Sequence, residues 1–303
     1  DISACGRQLF PGSPQHKAGV IGAVMRVMAD TDPTRAADYL AFLKRNFQTP
    51  DAPNDLTGAR FFWRSDYLID RQPAFMASLK MSSDRVVGGE TVNDENLSGR
   101  RLADGATYFY RTGNEYQDIF PVWDWRKIPG TTSLQDNASL EWPKPDLAAA
   151  PAFVGGVSDG HDACAVMDFH RAGVSAHKAW FFHEDTILCL GAAIHSDSPD
   201  PLVTTLNQCL LTGPITVDRE GAAAPETLAA ASATLTHFQW LEHAGFRYTP
   251  LQRDPWQITA GPRTGNWKTV FRSPATPAAN VTKNVFTLAI DHGPRAADAS
   301  YAY

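Results

Sequence analysis

From about Gly58 onward, the apolar residues occur in short runs of roughly four to eight residues that turn-forming residues separate. Residues 77–82 alternate apolar and polar side chains, which is typical of a strand with one buried face. Many short strands with frequent turns favour an antiparallel sandwich or barrel over a parallel α/β sheet. The predicted strands include residues 60–63, 75–81, 107–110, 179–182, 186–190, 267–270 and 285–290.

Turn signals separate these runs, because glycine, proline, asparagine and aspartate favour tight turns. The predicted turns lie at Gly88-Gly89, Asp104-Gly105, Thr112-Gly113-Asn114, Pro129-Gly130, Asp159-Gly160 and Gly261-Pro262. The Ala-rich residues 221–233 are interpreted as a surface loop or a short helix.

The first fifty residues have a helical pattern instead. Residues 18–29 are rich in Ala, Val, Ile and Met, and Asp32 followed by Pro33 predicts the start of a second helix. Apolar residues between 36 and 47 recur at helical spacing, while Asp38, Lys44 and Arg45 are left for solvent. Two helices cannot bury such stripes by themselves, so we expect a segment that precedes Asp1 to cover them.

Composition narrows the function classes. With 43% hydrophobic and 20% charged residues the chain is a typical globular protein, and no apolar run approaches the roughly 18 residues that a membrane span requires. The formal net charge of −6 argues against a general nucleic-acid binder. It leaves room for an anionic ligand that a few local arginines hold.

The cysteines and histidines carry no strong signal of chemistry. Cys5, Cys164, Cys189 and Cys209 lack metal-site spacing and are interpreted as buried apolar residues, with one disulfide left open. The sequence has no nucleophile elbow, no phosphate-binding glycine loop and no zinc-binding helix motif. The start of the sequence lacks a signal-peptide pattern, which indicates a removed leader or a start inside a longer protein.

Two polar segments remain as candidates. Residues 90–96 contain three carboxylates and two amides, and composition alone favours a solvated loop. The aromatic segment around Trp123, Asp124 and Trp125 suits sugar recognition, since sugar C–H faces stack on rings while hydroxyls bond to charged groups. The alternative, equally supported, is a strand that buries Phe120 and Trp123 in a core.

Several stretches, taken together, resemble one family. They are residues 62–67, 90–99, 102–107, 116–132, 155–160, 178–182, 190–194, 204–208, 286–293 and 300–303. In this order they resemble the polysaccharide lyases of family 8, which include chondroitin AC, hyaluronate and xanthan lyases. The resemblance implies a mainly β fold, a large antiparallel β supersandwich preceded by a short helical stub. It assigns residues 1–54 to the last helices of a truncated α/α toroid and residues 55–303 to the central supersandwich domain.

The family's activity implies a function. These secreted or periplasmic enzymes cleave uronic-acid-containing polysaccharides by β-elimination, and chondroitin or hyaluronan is the first expected substrate class. Alginate or xanthan is the alternative, as is a non-catalytic carbohydrate-binding fragment. The family's catalytic tyrosine and histidine lie in the toroid and have no match here, so the expected partners are an anionic polysaccharide and the missing toroid segment, without nucleic acid or membrane.

The resemblance also assigns site residues. Arg7 matches an arginine near the leaving-group oxygen, and Glu90 matches a glutamate that pairs with it and orients the tyrosine and histidine. Asn93 matches a substrate-contacting amide, and Trp142 matches a tryptophan that stacks on a sugar ring. Pro11 stands where the family usually has a second arginine, which keeps the alternative substrates open.

Some relatives carry calcium next to the Trp-Asp-Trp motif. Asp124 and Asp136 are the available ligands here, but Arg126 stands where a further acidic ligand is expected. Because Ca²⁺ takes six or more oxygen ligands, we expect neither a metal nor another cofactor.

Overall fold

The computed structural model describes residues 9–12, 19–48, 56–141, 153–228 and 232–303. The chain divides into two compact units, a helical unit of residues 15–57 and a β unit of residues 1–14 and 58–303. No helix in the described ranges is both long and apolar enough to cross a membrane.

The helical unit contains the two predicted helices, α1 (Gly19–Thr31) and α2 (Ala36–Leu43). A 3₁₀ turn at Pro33–Arg35 precedes α2, and a π-helical turn at Lys44–Gln48 follows it. Proline fits the first turn because its missing N–H has no partner there anyway. The Asp32 side chain does not cap this turn, but instead accepts hydrogen bonds from Thr34 Oγ1 at 2.5 Å and from the Tyr39 hydroxyl at 3.3 Å.

The apolar stripes of the helices are only partly covered within this unit. Leu43 is buried, whereas Val20 is 70% exposed and Leu40 is 55% exposed.

The β unit is built from antiparallel strands, as the sequence predicts. In the described ranges they are β1 Gly58–Phe62, β2 Tyr67–Arg71, β3 Met76–Met81, β4 Asp104–Tyr110, β5 Thr132–Leu134, β6 Val154–Ser158, β7 Ala163–Arg171, β8 Val174–His183, β9 Thr186–His195, β10 Pro201–Leu210, β11 Ile215–Arg219, β12 Glu226–Thr227, β13 Ser232–Leu235, β14 Phe238–His243, β15 Phe246–Tyr248, β16 Trp256–Asn266, β17 Asn280–Pro294 and β18 Ala299–Ala302. Strands β7–β10, β16 and β17 are longer than the predicted four to eight residues, with 9 to 15 residues each. The strands form four sheets, ordered β1-β2-β3-β4, β13-β16-β17-β10-β5, β12-β11-β14-β15 and β18-β9-β8-β7-β6.

One hydrophobic core joins residues from all four sheets. In β7 and β8 buried and more exposed residues alternate, which gives each strand one inner and one outer face. Nearly every residue of β10 and every residue of β4 is buried, so other layers cover both faces of these strands. The arrangement confirms the predicted antiparallel β-sandwich fold.

Three local predictions were wrong. Residues 267–270 are not a strand, because Trp267–Thr269 forms a 3₁₀ turn that the Asn266 side chain caps by accepting from the Lys268 N–H at 2.9 Å. The predicted turn at Gly105 lies inside β4, next to a register shift in its pairing with β3. The predicted turn at Gly261 lies within β16.

Glycine at position 105 serves the packing of the sandwich. Its φ is +81°, and a side-chain carbon there would lie 2.8 Å from the Trp180 ring. The Ala-rich residues 221–233 are also not helical where described, since they include β12 and the start of β13.

The aromatic segment 120–125 belongs to the core. Phe120, Trp123 and Trp125 are all buried, and their rings pack with centroid separations of 5.2–6.1 Å. Burial of Phe120 and Trp123 in the core is therefore confirmed, but the predicted strand is wrong, because Phe120–Val122 is a 3₁₀ turn. Sugar stacking on Trp123 or Trp125 is excluded because both rings are buried.

Of the cysteines, Cys189 and Cys209 are buried as predicted, and Cys164 is partly exposed. All three are free thiols, and Cys5 lies outside the described residues.

Candidate functional site

Glu90 and Asn93 lie on the segment of residues 82–103 that joins β3 to β4. The register aligns Phe62 with Tyr67, and Tyr67 with Lys80, across the first sheet. The β1–β2 hairpin and the segment 82–103 therefore leave the same end of this sheet, because neighbouring antiparallel strands turn at alternate ends.

The start of the segment is fixed by a buried carboxylate. Asp66, in the β1–β2 hairpin, accepts a hydrogen bond from Ser83 Oγ at 2.5 Å. Its other oxygen lies 3.1 Å from Nη2 of Arg85, whose charge balances the buried aspartate. Ser83 and Arg85 are both at the beginning of the segment, so their contacts with Asp66 fix the direction in which the chain leaves β3.

The middle of the segment contains three residues with left-handed backbone. The φ angles are +57° at Asn93, +58° at Asp94 and +54° at Asn96. Asparagine and aspartate tolerate this region better than other residues that carry a Cβ. Asn96 is fully buried, and its Nδ2 donates to the backbone carbonyl of Glu90 at 3.1 Å. The chain thus turns back on itself around this amide.

The segment is also attached to the 3₁₀ turn that follows β16. Leu97 N–H donates to the Val270 carbonyl at 3.0 Å, and Ser98 Oγ donates to the Thr269 carbonyl at 3.3 Å. In the other direction, Arg272 N–H donates to the Asp94 carbonyl at 2.9 Å. Three contacts to one neighbouring loop hold the segment in place although it has no regular secondary structure.

Buried charges fix the end of the segment. Arg171 from β7 forms an ion pair with Asp104 at 2.9 Å, and both side chains are buried. Lys178 from β8 donates through Nζ to the carbonyl of Gly130 at 2.6 Å and to that of Asp104 at 3.4 Å. Burial lowers the pKa of Lys178 to about 8, with the Asp104 carboxylate opposing this shift.

Arginines surround this end of the segment. Burial lowers the pKa of Arg101, the Asp104 and Asp136 carboxylates oppose that shift, and the Arg126 guanidinium adds to it. The Asp104 and Asp136 carboxylates pair with Arg171 and Arg126, so they balance part of this positive charge.

Two of the four predicted site residues can be placed. Glu90 and Asn93 are both exposed on the anchored segment, and two residues separate them in the chain. Arg7 and Trp142 lie outside the described residues, and their roles stay predictions. An exposed carboxylate and an exposed amide on a fixed loop can bind hydroxyl, amide or guanidinium groups with defined geometry.

Sequence reasoning missed Asn96. The prediction of a solvated loop holds for Glu90, Asn93 and Asp94, which are exposed, but not for Asn96, which is buried. The signal was present as a cluster of asparagine and aspartate, residue types that favour left-handed backbone and side-chain to backbone hydrogen bonds.

The two carboxylates considered for calcium have cationic neighbours. Arg126 Nε lies 3.0 Å from Asp136, and the same guanidinium donates to the carbonyl of Ala138. Lys127 Nζ lies 3.8 Å from Asp124. Among the residues that the structure describes, no group of three or more His, Cys, Asp or Glu side chains is arranged to hold a metal ion. The expectation of a metal-free site stays a prediction.

The described residues thus form a large antiparallel sandwich with an anchored loop that exposes a carboxylate and an amide. The profile described as "Polysaccharide lyase family 8, super-sandwich domain" matches residues 57–303. The chain belongs to polysaccharide lyase family 8.

Relatives support the assignment. The chain is 37% identical to Chondroitinase-AC of Pedobacter heparinus over 248 residues. This alignment covers 80% of this chain and 34% of the relative. It is 32% identical over 251 residues to Xanthan lyase of Bacillus sp. strain GL1, covering 78% of this chain and 26% of the relative. The chain thus spans about a third or less of the length of these relatives.

A solved structure has the same fold. A chondroitinase AC lyase, described as part of enzyme–oligosaccharide complexes, superposes with a TM-score of 0.80 and 32% sequence identity. The superposition covers 92% of this chain and 41% of that chain.

Proposed function

We propose that this chain is the sandwich part of a lyase that cleaves a uronic-acid-containing polysaccharide of the chondroitin or hyaluronan class by β-elimination. The anchored segment that exposes Glu90 and Asn93 together carries the proposal. Among the relatives, the chondroitinase at 37% identity supports the substrate class.

The reaction needs a proton acceptor, a proton donor and neutralisation of charge. A base removes the proton at C5 of the uronate, and the electron pair left behind forms a C4=C5 double bond. The bond from C4 to the glycosidic oxygen breaks, and that oxygen takes a proton from an acid. Negative charge grows on the uronate carboxylate, so fixed donors supply much of the stabilisation, while acid–base transfer adds about 10²–10⁴-fold.

In this scheme the sandwich positions groups and binds substrate, and it does not itself transfer the protons. Glu90 pairs with Arg7 and orients the catalytic tyrosine and histidine, and Asn93 contacts the substrate. Arg7 stabilises charge at the leaving-group oxygen and lowers the pKa of the tyrosine, since a guanidinium favours the phenolate.

The tyrosine and histidine belong to a helical toroid, and exposed side chains in the helical unit support such a partner. Val20, Val27 and Leu40 are apolar, and all three are exposed. A larger helical domain would bury them, which is favourable by about 25 cal/mol per Å². We expect this chain to be inactive when it is separated from that domain. An extracellular polymer as substrate implies that the enzyme is secreted or periplasmic.

The test is the ultraviolet absorbance of the unsaturated product. The native polypeptide and residues 1–303 alone are each incubated with chondroitin, hyaluronan, xanthan and alginate. We expect absorbance to rise with chondroitin or hyaluronan for the native polypeptide, and not for residues 1–303 alone. If the polypeptide is retained on a polymer column yet releases no unsaturated ends, it is a carbohydrate-binding protein and the lyase proposal is wrong.

A further inference from the structure

The tip of the β1–β2 hairpin exposes two large aromatic side chains. Trp63 is 63% exposed and Phe62 is 45% exposed. The guanidinium carbon of Arg64 lies 4.9 Å from the centroid of the Trp63 ring, which is cation–π geometry. Exposed apolar side chains that lie together mark a surface that contacts a ligand, a membrane or another protein.

A third exposed aromatic residue, Phe153, directly precedes strand β6. Strand β6 runs alongside β1, because Ser158 Oγ donates to the Ala59 carbonyl at 2.7 Å and a carbon added at Gly156 would meet the Phe61 ring. Following this alignment to the start of β6 brings Phe153 to the level of Trp63. Phe153 is 68% exposed.

Arg85 joins the hairpin to the start of β6. Its guanidinium contacts Asp66 at 3.1 Å and donates to the Val154 carbonyl at 3.1 Å. The Arg85 side chain is still about half exposed. We name Phe62, Trp63, Arg64, Arg85 and Phe153 the hairpin patch.

Local charge favours an anionic ligand. Arg60 is exposed and lies two residues before Phe62, on the same face of β1. Within residues 60–66, at the end of β1 and the hairpin tip, the exposed charged side chains are Arg60 and Arg64, and the carboxylate of Asp66 is buried against Arg85. Asp84 and Asp168, which bonds to Phe153, are the other carboxylates nearby. The exposed charge of the hairpin tip itself is therefore positive in a chain whose formal net charge is −6.

The patch is continuous with the candidate site. Ser83 and Arg85, which bind Asp66 in the hairpin, begin the same segment that carries Glu90 and Asn93. The hairpin and the segment also leave the same end of the first sheet. A long polymer that passes Glu90 can therefore extend along this end to Trp63.

We propose that the hairpin patch is a binding subsite for an acidic polysaccharide, with the Trp63 ring stacking on a sugar and the Arg64 guanidinium binding an acidic group. The choice of an acidic polysaccharide rests on the proposed function. Sugar C–H faces stack on aromatic rings, and guanidinium groups match carboxylate and sulfate oxygens with paired donors. A protein partner and a second copy of this chain are competing occupants.

The experiment measures binding of residues 1–303 to chondroitin sulfate, with dextran as a neutral polymer. We expect Trp63→Ala to weaken binding by about tenfold and Trp63→Phe by about twofold or less. Arg64→Gln is expected to weaken binding and to make it less sensitive to salt, because exposed charges are screened. Phe181→Ala, which removes an exposed ring from the outer face of β8, is the matched control and should bind like the wild type.

Several results would overturn the subsite. Unchanged binding by Trp63→Ala, or equal retention by dextran, would do so. Loss of a concentration-dependent dimer in Trp63→Ala, with polysaccharide binding intact, would identify the patch as an interface between copies instead. Trp63 is exposed, so its replacement should leave folding intact, and far-ultraviolet circular dichroism verifies this.

The product assay separates this subsite from the lyase proposal. If the native polypeptide forms no unsaturated product while Trp63→Ala loses binding, the subsite stands and the lyase proposal fails. If product forms while Trp63→Ala binds normally, the lyase proposal stands and the subsite fails.

Discussion

The side-chain amide of Asn96 donates to the backbone carbonyl of Glu90 at 3.1 Å, so a fully buried residue fixes the backbone beneath an exposed candidate site residue. Asn96 is itself held, because the next residue, Leu97, is bonded to Val270. The position of the Glu90 carboxylate therefore depends on the interior of the sandwich. A rigid loop suits a residue whose proposed role is to orient other groups.

Replacement of Asn96 separates the hydrogen bond from the backbone conformation. Asn96→Gly loses only the amide, whereas Asn96→Ala also places a methyl group at a φ of +54°. We expect Asn96→Ala to lower the free energy of unfolding by about 2–4 kcal/mol and Asn96→Gly by about 1–3 kcal/mol, measured in urea.

Asn46→Ala is the control for Asn96. Asn46 also donates to a backbone carbonyl, that of Phe42 at 2.9 Å, but it is partly exposed, so water can replace the bond, and it lies outside both the segment 82–103 and the turn that anchors this segment. The control variant should lose less free energy of unfolding than Asn96→Ala does. Equal stability of Asn96→Ala and the wild type would mean that the amide does not hold the loop.

Two left-handed glycines form a matched pair for a second prediction. Gly130 has a φ of +80°, and a carbon added there would lie 2.4 Å from the Gly105 carbonyl oxygen. Gly113 has a φ of +86° and open space around it. We expect Gly113→Ala to cost about 1 kcal/mol from backbone strain alone, and Gly130→Ala about 2–4 kcal/mol because overpacking is added. Urea unfolding of both variants measures the difference, and similar losses would contradict close packing at Gly130.

Much of the sandwich could be predicted from the sequence, because short alternating runs directly reflect strands with one buried face. Predictions failed where glycine performs a different task in packing. At Gly105 the residue was interpreted as a turn, but it lies in a strand where the Trp180 ring comes too close for a side chain. Contacts between residues far apart in sequence decide such positions, and local pattern does not contain them.

The candidate site divides in the same way. The composition of residues 90–96 predicted a solvated loop, and Glu90 and Asn93 are exposed on such a loop. The roles that the resemblance assigns to these two residues stay predictions. Neither composition nor resemblance could show that Asn96 points inward, since that depends on the packing of Leu97 and Ser98 against the turn at residues 267–270. The hairpin patch was likewise not predicted, because exposure of Trp63 is a property of the folded sheet.

Buried Lys178 predicts a pH dependence at alkaline pH. Its pKa is about 8 in the folded protein and 10.5 in the unfolded chain, so the unfolded state binds more protons between these values. Stability from this group therefore rises as pH increases from 8 to 10.5, by up to roughly 1.4 kcal/mol per pH unit.

Lys178→Met tests this linkage. The free energy of unfolding of the wild type, minus that of the variant, should increase as pH rises from about 8 to 9.5. Lys80→Met is the parallel case, because burial also lowers the pKa of Lys80 to about 8. A difference that does not change with pH would show that Lys178 has an ordinary pKa.

His243 predicts loss of stability in acid. Burial lowers its pKa to about 4, compared with 6.5 when unfolded, so between these values the unfolded state binds more protons. The stabilisation that neutral His243 contributes is fully present above pH 6.5, and it is lost as pH falls towards 4. The hydrogen bonds agree, because the Thr212 N–H donates to Nε2 at 3.3 Å and requires that nitrogen to be unprotonated.

His243→Gln keeps a hydrogen-bond acceptor but cannot take the proton. We expect its unfolding free energy to fall less than that of the wild type between pH 6.5 and 4.5, with a small loss at pH 7 from altered stacking on Phe286. If the unfolding free energies of the two proteins fall in parallel with pH, other groups cause the acid sensitivity. His292 is then the next candidate, because burial also lowers its pKa to about 4.

The lyase proposal predicts which carboxylate of the segment matters for turnover. Glu90→Gln removes the charge that, in the proposed mechanism, pairs with Arg7. We therefore expect the rate of unsaturated-product formation by the native polypeptide to fall at least about 10²-fold, and Arg7→Ala to lower it by a similar factor. Glu95→Gln changes a carboxylate five residues further along the same loop, which has no proposed role, and should leave the rate within about twofold of the wild type. Near-normal rates for both Glu90→Gln and Arg7→Ala would remove these residues from the mechanism. Equal losses for Glu90→Gln and Glu95→Gln would mean that the net charge of the loop matters, and not the place at which the Asn96 amide holds Glu90.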